Sequence, residues 1–138
     1  MPAIRRGGTG DWSEIAAIQG ASPEAAQWNI GDYGRYDSFV AVHQNQVAGF
    51  LVWRAIADAE CEILNLAVLP DFRRQGVGRA LVQSLLKSFN GPVFLEVRES
   101  NEAAIGLYKS LGFEQISRRL EYYREPPEAA IVMKFHSC

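Results

Sequence analysis

Arg73, Arg74, Gln75, Gly76, Val77, Gly78 and Arg79 form one stretch in which arginines flank two glycines. Glycine removes the side chain where a backbone must come close to a ligand, and guanidinium groups form charge-assisted bonds to phosphate. The apolar run Ile63 to Leu69 precedes the stretch, and Val77, Leu81 and Leu85 follow at helical spacing. A strand, a loop and a helix start therefore meet here. Unpaired N–H groups gather at a helix start and favour an anion. The spacing is neither that of a Gly-Lys-Ser/Thr phosphate loop nor of the three-glycine dinucleotide fingerprint. A strand–helix turn with a basic rim is the competing reading.

Two further residues stand out by type and place. Glu96 lies inside Val93-Phe-Leu-Glu-Val97, a run apolar enough to read as a strand covered on both faces. A carboxylate there is costly unless hydrogen-bonded, paired or wet. Arg98, two residues on, shares its face and offers a structural ion pair. The chemical alternative is a general base whose ordinary pKa of about 4.3 is raised by partial burial. Tyr108 sits on the stripe Ala104, Leu107, Tyr108, Leu111, where core packing is the default. A phenol with pKa about 10 is also a proton donor for a leaving group. Cys61 has no histidine nearby in sequence and reads as core.

The elements that must position these groups follow from pattern and punctuation. A short strand at Ile4–Arg6 precedes Asp11 and Glu14, spaced as a capping box for a helix to about Gln19. Residues 20–37 lack a clean period; glycines, Trp28, Tyr33 and Tyr36 predict an exposed binding loop with one short helix. Phe39 to Val42 and Val47 to Arg54 flank His43–Gln46 as an antiparallel hairpin. Strands are expected at Glu62 to Val68 and Val93 to Val97, with a helix from about Gly76 to Phe89 between them. Asn101 caps a second such helix, which ends at Gly112. A strand at Phe113 to Arg119, a turn from Tyr122 to Pro127 and a strand at Ala129 to Phe135 complete the chain. The fold expected is α/β (α+β): a mixed, mostly antiparallel sheet of about seven strands, with about four helices on both faces.

Composition sets outer bounds. The 138 residues, 48% of them apolar, suit a single domain, residues 1–138, with its own core. Neither a secretory leader nor a membrane-length apolar run is apparent, and two cysteines, Cys61 and Cys138, fit a reducing, cytoplasmic setting. A net charge of -2 gives no general attraction to nucleic acid, and two scattered histidines leave no metal site expected.

The stretch Arg73-Arg-Gln-Gly-Val-Gly78 resembles the Arg/Gln-x-x-Gly-x-Gly/Ala motif of the GCN5-related N-acetyltransferases. The likeness continues through Asn65 to Ala80, Leu95 to Ile105 and Leu107 to Phe113, and it is nearest to the branch that acetylates ribosomal-protein alanine termini, the RimI type. Tyr122-Tyr123 resembles the tyrosine pair of that branch. The resemblance implies acetyl-coenzyme A as cosubstrate, held by Leu66, Ala67, Val68, the loop Arg73, Arg74, Gln75, Gly76, Val77, Gly78 and Arg79, and by Asn101, Ala104 and Tyr108. It implies an oxyanion donor among the amides near Ala67 or Val68. It makes Glu96 the base and Tyr108 the acid, with Trp28, Tyr36, Glu96, Tyr122 and Tyr123 around the acceptor.

The acceptor so implied is a protein N-terminal α-amine, a ribosomal protein's among the candidates, met by a monomer or weak dimer without nucleic acid or membrane. Such an amine has a pKa of about 7.7 to 8.0 and must be neutral to attack a thioester, so orientation and one proton acceptor suffice. Residues 21–36 depart from the branch's Phe-Pro-Trp-Ser element. Rival readings are a small-molecule amine acetyltransferase and a non-catalytic acyl-coenzyme A-binding module.

Overall fold

The computed structural model describes residues 2–57, 59–124 and 127–136. They fall into two compact units, one of residues up to 54 with 64–88, the other of 55–63 with residues from 89 onward. Cys138 and residues 125–126 of the expected turn lie outside the described residues.

In the first unit β1 (Ala3–Arg6), β2 (Asp37–His43), β3 (Gln46–Ala57) and β4 (Glu60–Val68) are neighbours in that order. β1 and β2 are antiparallel, with Ala3 opposite Val42, and so are β2 and β3, with Phe39 opposite Leu51. Gln44 and Asn45, at φ 50° and 64°, form the hairpin turn whose left-handed residues match strand twist. The helix α1 (Trp12–Gly20) buries Ile15 and Ile18 in a core with Tyr33, Val40, Phe50 and Val52. The helix α2 (Val77–Ser88) buries Val77, Leu81, Val82 and Leu85, one apolar stripe, with each buried side chain contributing roughly 1.5–3 kcal/mol.

Two expectations for this unit are corrected. Asp11 and Glu14 precede and open α1 but make no capping box. Asp11 accepts two bonds from Arg5, at 2.8 and 2.9 Å, and one from the Gly8 N–H at 2.8 Å. A forked guanidinium outweighs a single cap bond. Glu14 instead accepts from the Val47 N–H at 2.9 Å. Residues 20–37 do contain one short helix, a 3₁₀ turn at Ile30–Arg35, yet Tyr33 is wholly buried rather than exposed. Its hydroxyl donates to Gln19 Oε1 at 2.6 Å and accepts from Asn65 Nδ2 at 2.9 Å. Asn65 also reaches the Ala26 carbonyl at 2.8 Å, and Gln19 the Trp28 carbonyl at 2.7 Å. A buried polar network thus ties this segment to β4.

In the second unit the start of β4 is followed by β5 (Val93–Arg98), then β7 (Pro127–Phe135), then β6 (Glu114–Arg124). β4 and β5 run parallel, from Cys61 opposite Val93 to Ile63 opposite Leu95; β5–β7 and β6–β7 are antiparallel. The helix α3 (Glu102–Ser110) starts where Asn101 Oδ1 accepts from the Ala104 N–H at 3.2 Å, the cap expected. β5 alternates: Val93, Leu95 and Val97 are buried, while Phe94, Glu96 and Arg98 are only partly so. The reading of β5 as covered on both faces is therefore corrected. Tyr122 and Tyr123 lie within β6 and not in a turn, because the strand continues past a bulge between Arg119 and Tyr123 and pairs Tyr123 with Glu128.

The architecture is thus a mixed, mostly antiparallel seven-stranded α/β fold. Among the described residues, three α-helices and 3₁₀ turns at Thr9–Asp11, Ile30–Arg35 and Pro70–Phe72 accompany the sheet. Among the described residues no helix is long and apolar enough to cross a membrane.

Candidate active site

The first unit contributes the arginine–glycine loop. Beyond β4 the chain makes the 3₁₀ turn Pro70–Phe72, then places Arg74 at φ 63° and Gly76 at φ 81°. An arginine in the left-handed region costs about 1 kcal/mol or more, and such strain concentrates at ligand-binding loops. The first helical bond beyond the loop runs from the Ala80 N–H to the Gly76 carbonyl, at 2.9 Å. The amides of Gly76, Val77 and Gly78 consequently open α2 without intrahelical acceptors. The base of the loop is held by close packing at Gly49. A side chain there would meet the Ala67 carbonyl at 3.0 Å and Val77 at 3.2 Å.

Arg73 is held by the chain itself. Its guanidinium donates to the Val68 carbonyl and to Ser22 Oγ, both at 3.0 Å, and pairs with Glu24 at 3.2 Å. The Arg73 side chain is committed within the chain, fastening residues 21–24 to the end of β4. Arg74, Gln75 and Arg79 are exposed. In β4 Ala67 is buried, Leu66 and Val68 are partly buried, and the Leu66 N–H donates to Asn65 Oδ1 at 3.0 Å. Trp28 and Tyr36 meet edge to face at 6.3 Å and pack, partly buried, against the core.

The second unit contributes the titratable groups. Glu96 Oε1 accepts from Arg119 at 3.0 Å, whereas the buried Oε2 has no donor among the described residues. The ion pair with Arg98, weighed as the structural alternative, is not the one Glu96 makes. Arg98 pairs with Glu128 at 3.3 Å and lies over the Tyr123 ring at 4.3 Å. Arg119, on β6, lies over the Tyr122 ring at 4.4 Å. Successive residues of a regular strand face opposite ways; the bulge brings both tyrosines to this cluster, their rings 5.1 Å apart. Burial pushes the Tyr123 phenol up to about 12, with the Glu96 charge adding to it. Burial, the Glu96 charge, a hydrogen bond to Glu96 and the Glu62 charge raise Tyr122, with Arg119 opposing them.

Tyr108 is buried on α3, its ring edge-on to Phe113 at 5.3 Å. Burial, then the neighbouring Tyr123, raises its phenol well above the ordinary range, so it stays protonated at any physiological pH. Glu96 acts on Tyr123 and Tyr123 on Tyr108, so the predicted base and acid share one electrostatic cluster. Asn101 spends its side-chain oxygen on the α3 cap, and Ala104 is partly buried in the first turn. Cys61 is a buried free thiol pushed up to about 12 by burial, which fits core and not a nucleophile. Sequence reading missed Arg119 and Glu128. Each pairs with a residue of another strand, Arg119 with Glu96 and Glu128 with Arg98, and no spacing along one strand marks such a pair.

A sheet with this strand order, a glycine-bearing loop opening α2 and a carboxylate on β5 define an acyl-transfer scaffold, and residues 10–113 match the acetyltransferase (GNAT) family. The chain belongs to that family and is an N-acetyltransferase. It is 40% identical over 105 residues to the [ribosomal protein bS18]-alanine N-acetyltransferase of Escherichia coli strain K12, covering 72% of this chain and 70% of that one. The crystal structure of the ribosomal-protein-S18-alanine N-acetyltransferase from Escherichia coli superimposes with a TM-score of 0.86 at 32% identity, over 99% of this chain and 94% of that one. NAA60 of Arabidopsis thaliana, solved in complex with acetyl-CoA, shares the fold at a TM-score of 0.86 and 17% identity, over 99% and 98% of the two chains.

Proposed function

We propose that this chain, residues 1–138 as one acetyltransferase domain, moves an acetyl group from acetyl-coenzyme A to a protein N-terminal α-amine. An alanine terminus of a ribosomal protein is the acceptor favoured by the relatives' substrate. The observation that carries the chemistry is Glu96 Oε2, a buried carboxylate oxygen without a donor among the described residues. Leaving such an oxygen unpaired is costly, and an acceptor amine supplies the missing donor.

In this reading the open amides of Gly76, Val77 and Gly78, with Arg74 and Arg79 beside them, hold the pyrophosphate of the cosubstrate. Glu96 Oε2 takes the proton that the amine gives up as its nitrogen bonds to the acetyl carbon. The carbon–sulfur bond breaks, and the Tyr108 phenol, kept protonated by burial, donates to the departing sulfur. Tyr122 and Tyr123 line the acceptor side, and Trp28 and Tyr36 shape the segment that receives the peptide. A reducing cytoplasmic setting and a monomer or weak dimer complete the reading.

The test compares three acceptors with acetyl-coenzyme A: a peptide beginning with alanine, the same peptide with a blocked terminus and an internal lysine, and a free polyamine. Mass spectrometry should find the acetyl group on the first alone. Glu96→Gln should lower its turnover by roughly 100-fold or more while cosubstrate affinity holds. Preferential acetylation of the polyamine would refute the peptide acceptor, and full turnover by Glu96→Gln would refute the base.

A further inference from the structure

We propose that Arg119 is a positioning residue for the transfer: by occupying only Oε1 of Glu96, it fixes the carboxylate's orientation and leaves Oε2 for the acceptor amine. The inference rests on the reading of Glu96 as base. Neither Arg119 nor its contact was expected from the sequence, where Arg98 was weighed as the alternative partner.

The geometry argues in three steps. First, the pair is one-sided. Arg119 Nη1 meets Oε1 at 3.0 Å, while Oε2 is buried and without a donor among the described residues. A forked, two-oxygen pairing would be the stronger bond for a purely structural contact. Second, the guanidinium is itself held, lying over the Tyr122 ring at 4.4 Å. A cation on an aromatic face resists rotation toward the second oxygen. Third, the other nearby cations have their own acids: Arg98 pairs with Glu128, and Arg118 with Glu99.

The charged and titratable groups around Glu96 are few. β6 supplies Arg119, Tyr122 and Tyr123, β7 supplies Glu128, β5 itself supplies Arg98, and Glu62 of β4 acts on Tyr122. The Arg119 side chain is 54% exposed, against 18% for Glu96, so solvent weakens the pair and its loss should have a modest effect.

The experiment measures kcat and KM with acetyl-coenzyme A and an alanine-first peptide, for Glu96→Gln, Arg119→Met, Arg119→Lys and the double variant Glu96→Gln/Arg119→Met, with thermal unfolding as control. Arg119→Met should lower kcat by roughly tenfold and leave the KM for acetyl-coenzyme A unchanged, because the carboxylate loses the contact that aims Oε2. Arg119→Lys should recover part of that loss, since an ammonium can still meet Oε1. In the Glu96→Gln background Arg119→Met should change kcat little further, because its effect passes through the carboxylate. If Glu96→Gln is impaired but Arg119→Met keeps full kcat, or lowers it equally in both backgrounds, Arg119 is structural and this inference fails alone. If Glu96→Gln keeps full turnover, the base reading fails and takes the inference with it. Should the methionine variant not fold, Arg119→Gln serves in its place.

Discussion

At the residue scale, Tyr108 poses the cleanest choice between packing and chemistry. Its ring is buried and sits against Phe113, so a phenylalanine in its place would keep the contact. Only the hydroxyl would be lost. If the phenol protonates the departing sulfur, Tyr108→Phe should lower kcat by roughly 100-fold, within the usual range for a positioned general acid. Its melting temperature should stay near the parent's, because ring burial and shape are kept. The measurement is turnover per folded molecule, with thermal unfolding as control. Undiminished turnover would leave Tyr108 as core. Burial leaves the proton on this phenol but makes it a weaker donor, so the turnover of Tyr108→Phe decides the acid role.

At the element scale, β4 is held by a buried network rather than by its sheet partners alone. Asn65 Nδ2 serves Tyr33, Gln19 and Ala26, and Asn65 Oδ1 takes the Leu66 N–H. Asn65→Leu leaves several buried polar groups without partners, at about 1–3 kcal/mol for each unsatisfied group. Such a variant should melt well below the parent and should also weaken acetyl-coenzyme A binding, because Leu66 to Val68 lose their anchor. Calorimetric titration of the folded fraction checks the second effect. Tyr33→Phe should be milder, since Asn65 and Gln19 still meet at 3.2 Å. This network marks where sequence reading stops. Strong periods were legible: the stripe of α2, the cap at Asn101 and the hairpin at Gln44-Asn45 all stand where pattern placed them. The glycine loop and Glu96 were legible because residue type and place disagreed. Tyr33 was not, since an aromatic in a turn-rich segment looks alike whether it faces solvent or fills a core. Arg119 was hidden for another reason. Its pairing with Glu96 reaches across β7, from β6 to β5, and no spacing along one strand encodes that.

At the scale of the whole molecule, burial of protonated groups sets the alkaline limit of stability. Burial raises Tyr33, Tyr123 and Cys61 to about 12, and raises Tyr108 as well. Each is neutral when protonated, and folding favours that form. For a group whose folded pKa exceeds its unfolded value, the stabilisation is complete below the unfolded pKa and is lost as pH rises toward the folded one. The unfolded values are about 8.5 for cysteine and about 10 for tyrosine. Stability should therefore hold to about pH 8.5, soften as the thiol becomes relevant, then fall steeply between about 10 and 12. At the acid end the sign reverses. Arg5 holds Asp11 below the usual carboxylate range, so its contribution is present at neutral pH and fades as pH falls through that lowered value. Thermal unfolding across pH, with tyrosinate absorbance followed in parallel, reads both limbs. Tyrosinate from the buried phenols should appear together with unfolding and not before it. Tyr33→Phe and Tyr108→Phe should each flatten the alkaline fall, and Asp11→Asn the acid one. Smooth tyrosine titration near pH 10 in a still-folded protein would show that burial does not govern these phenols.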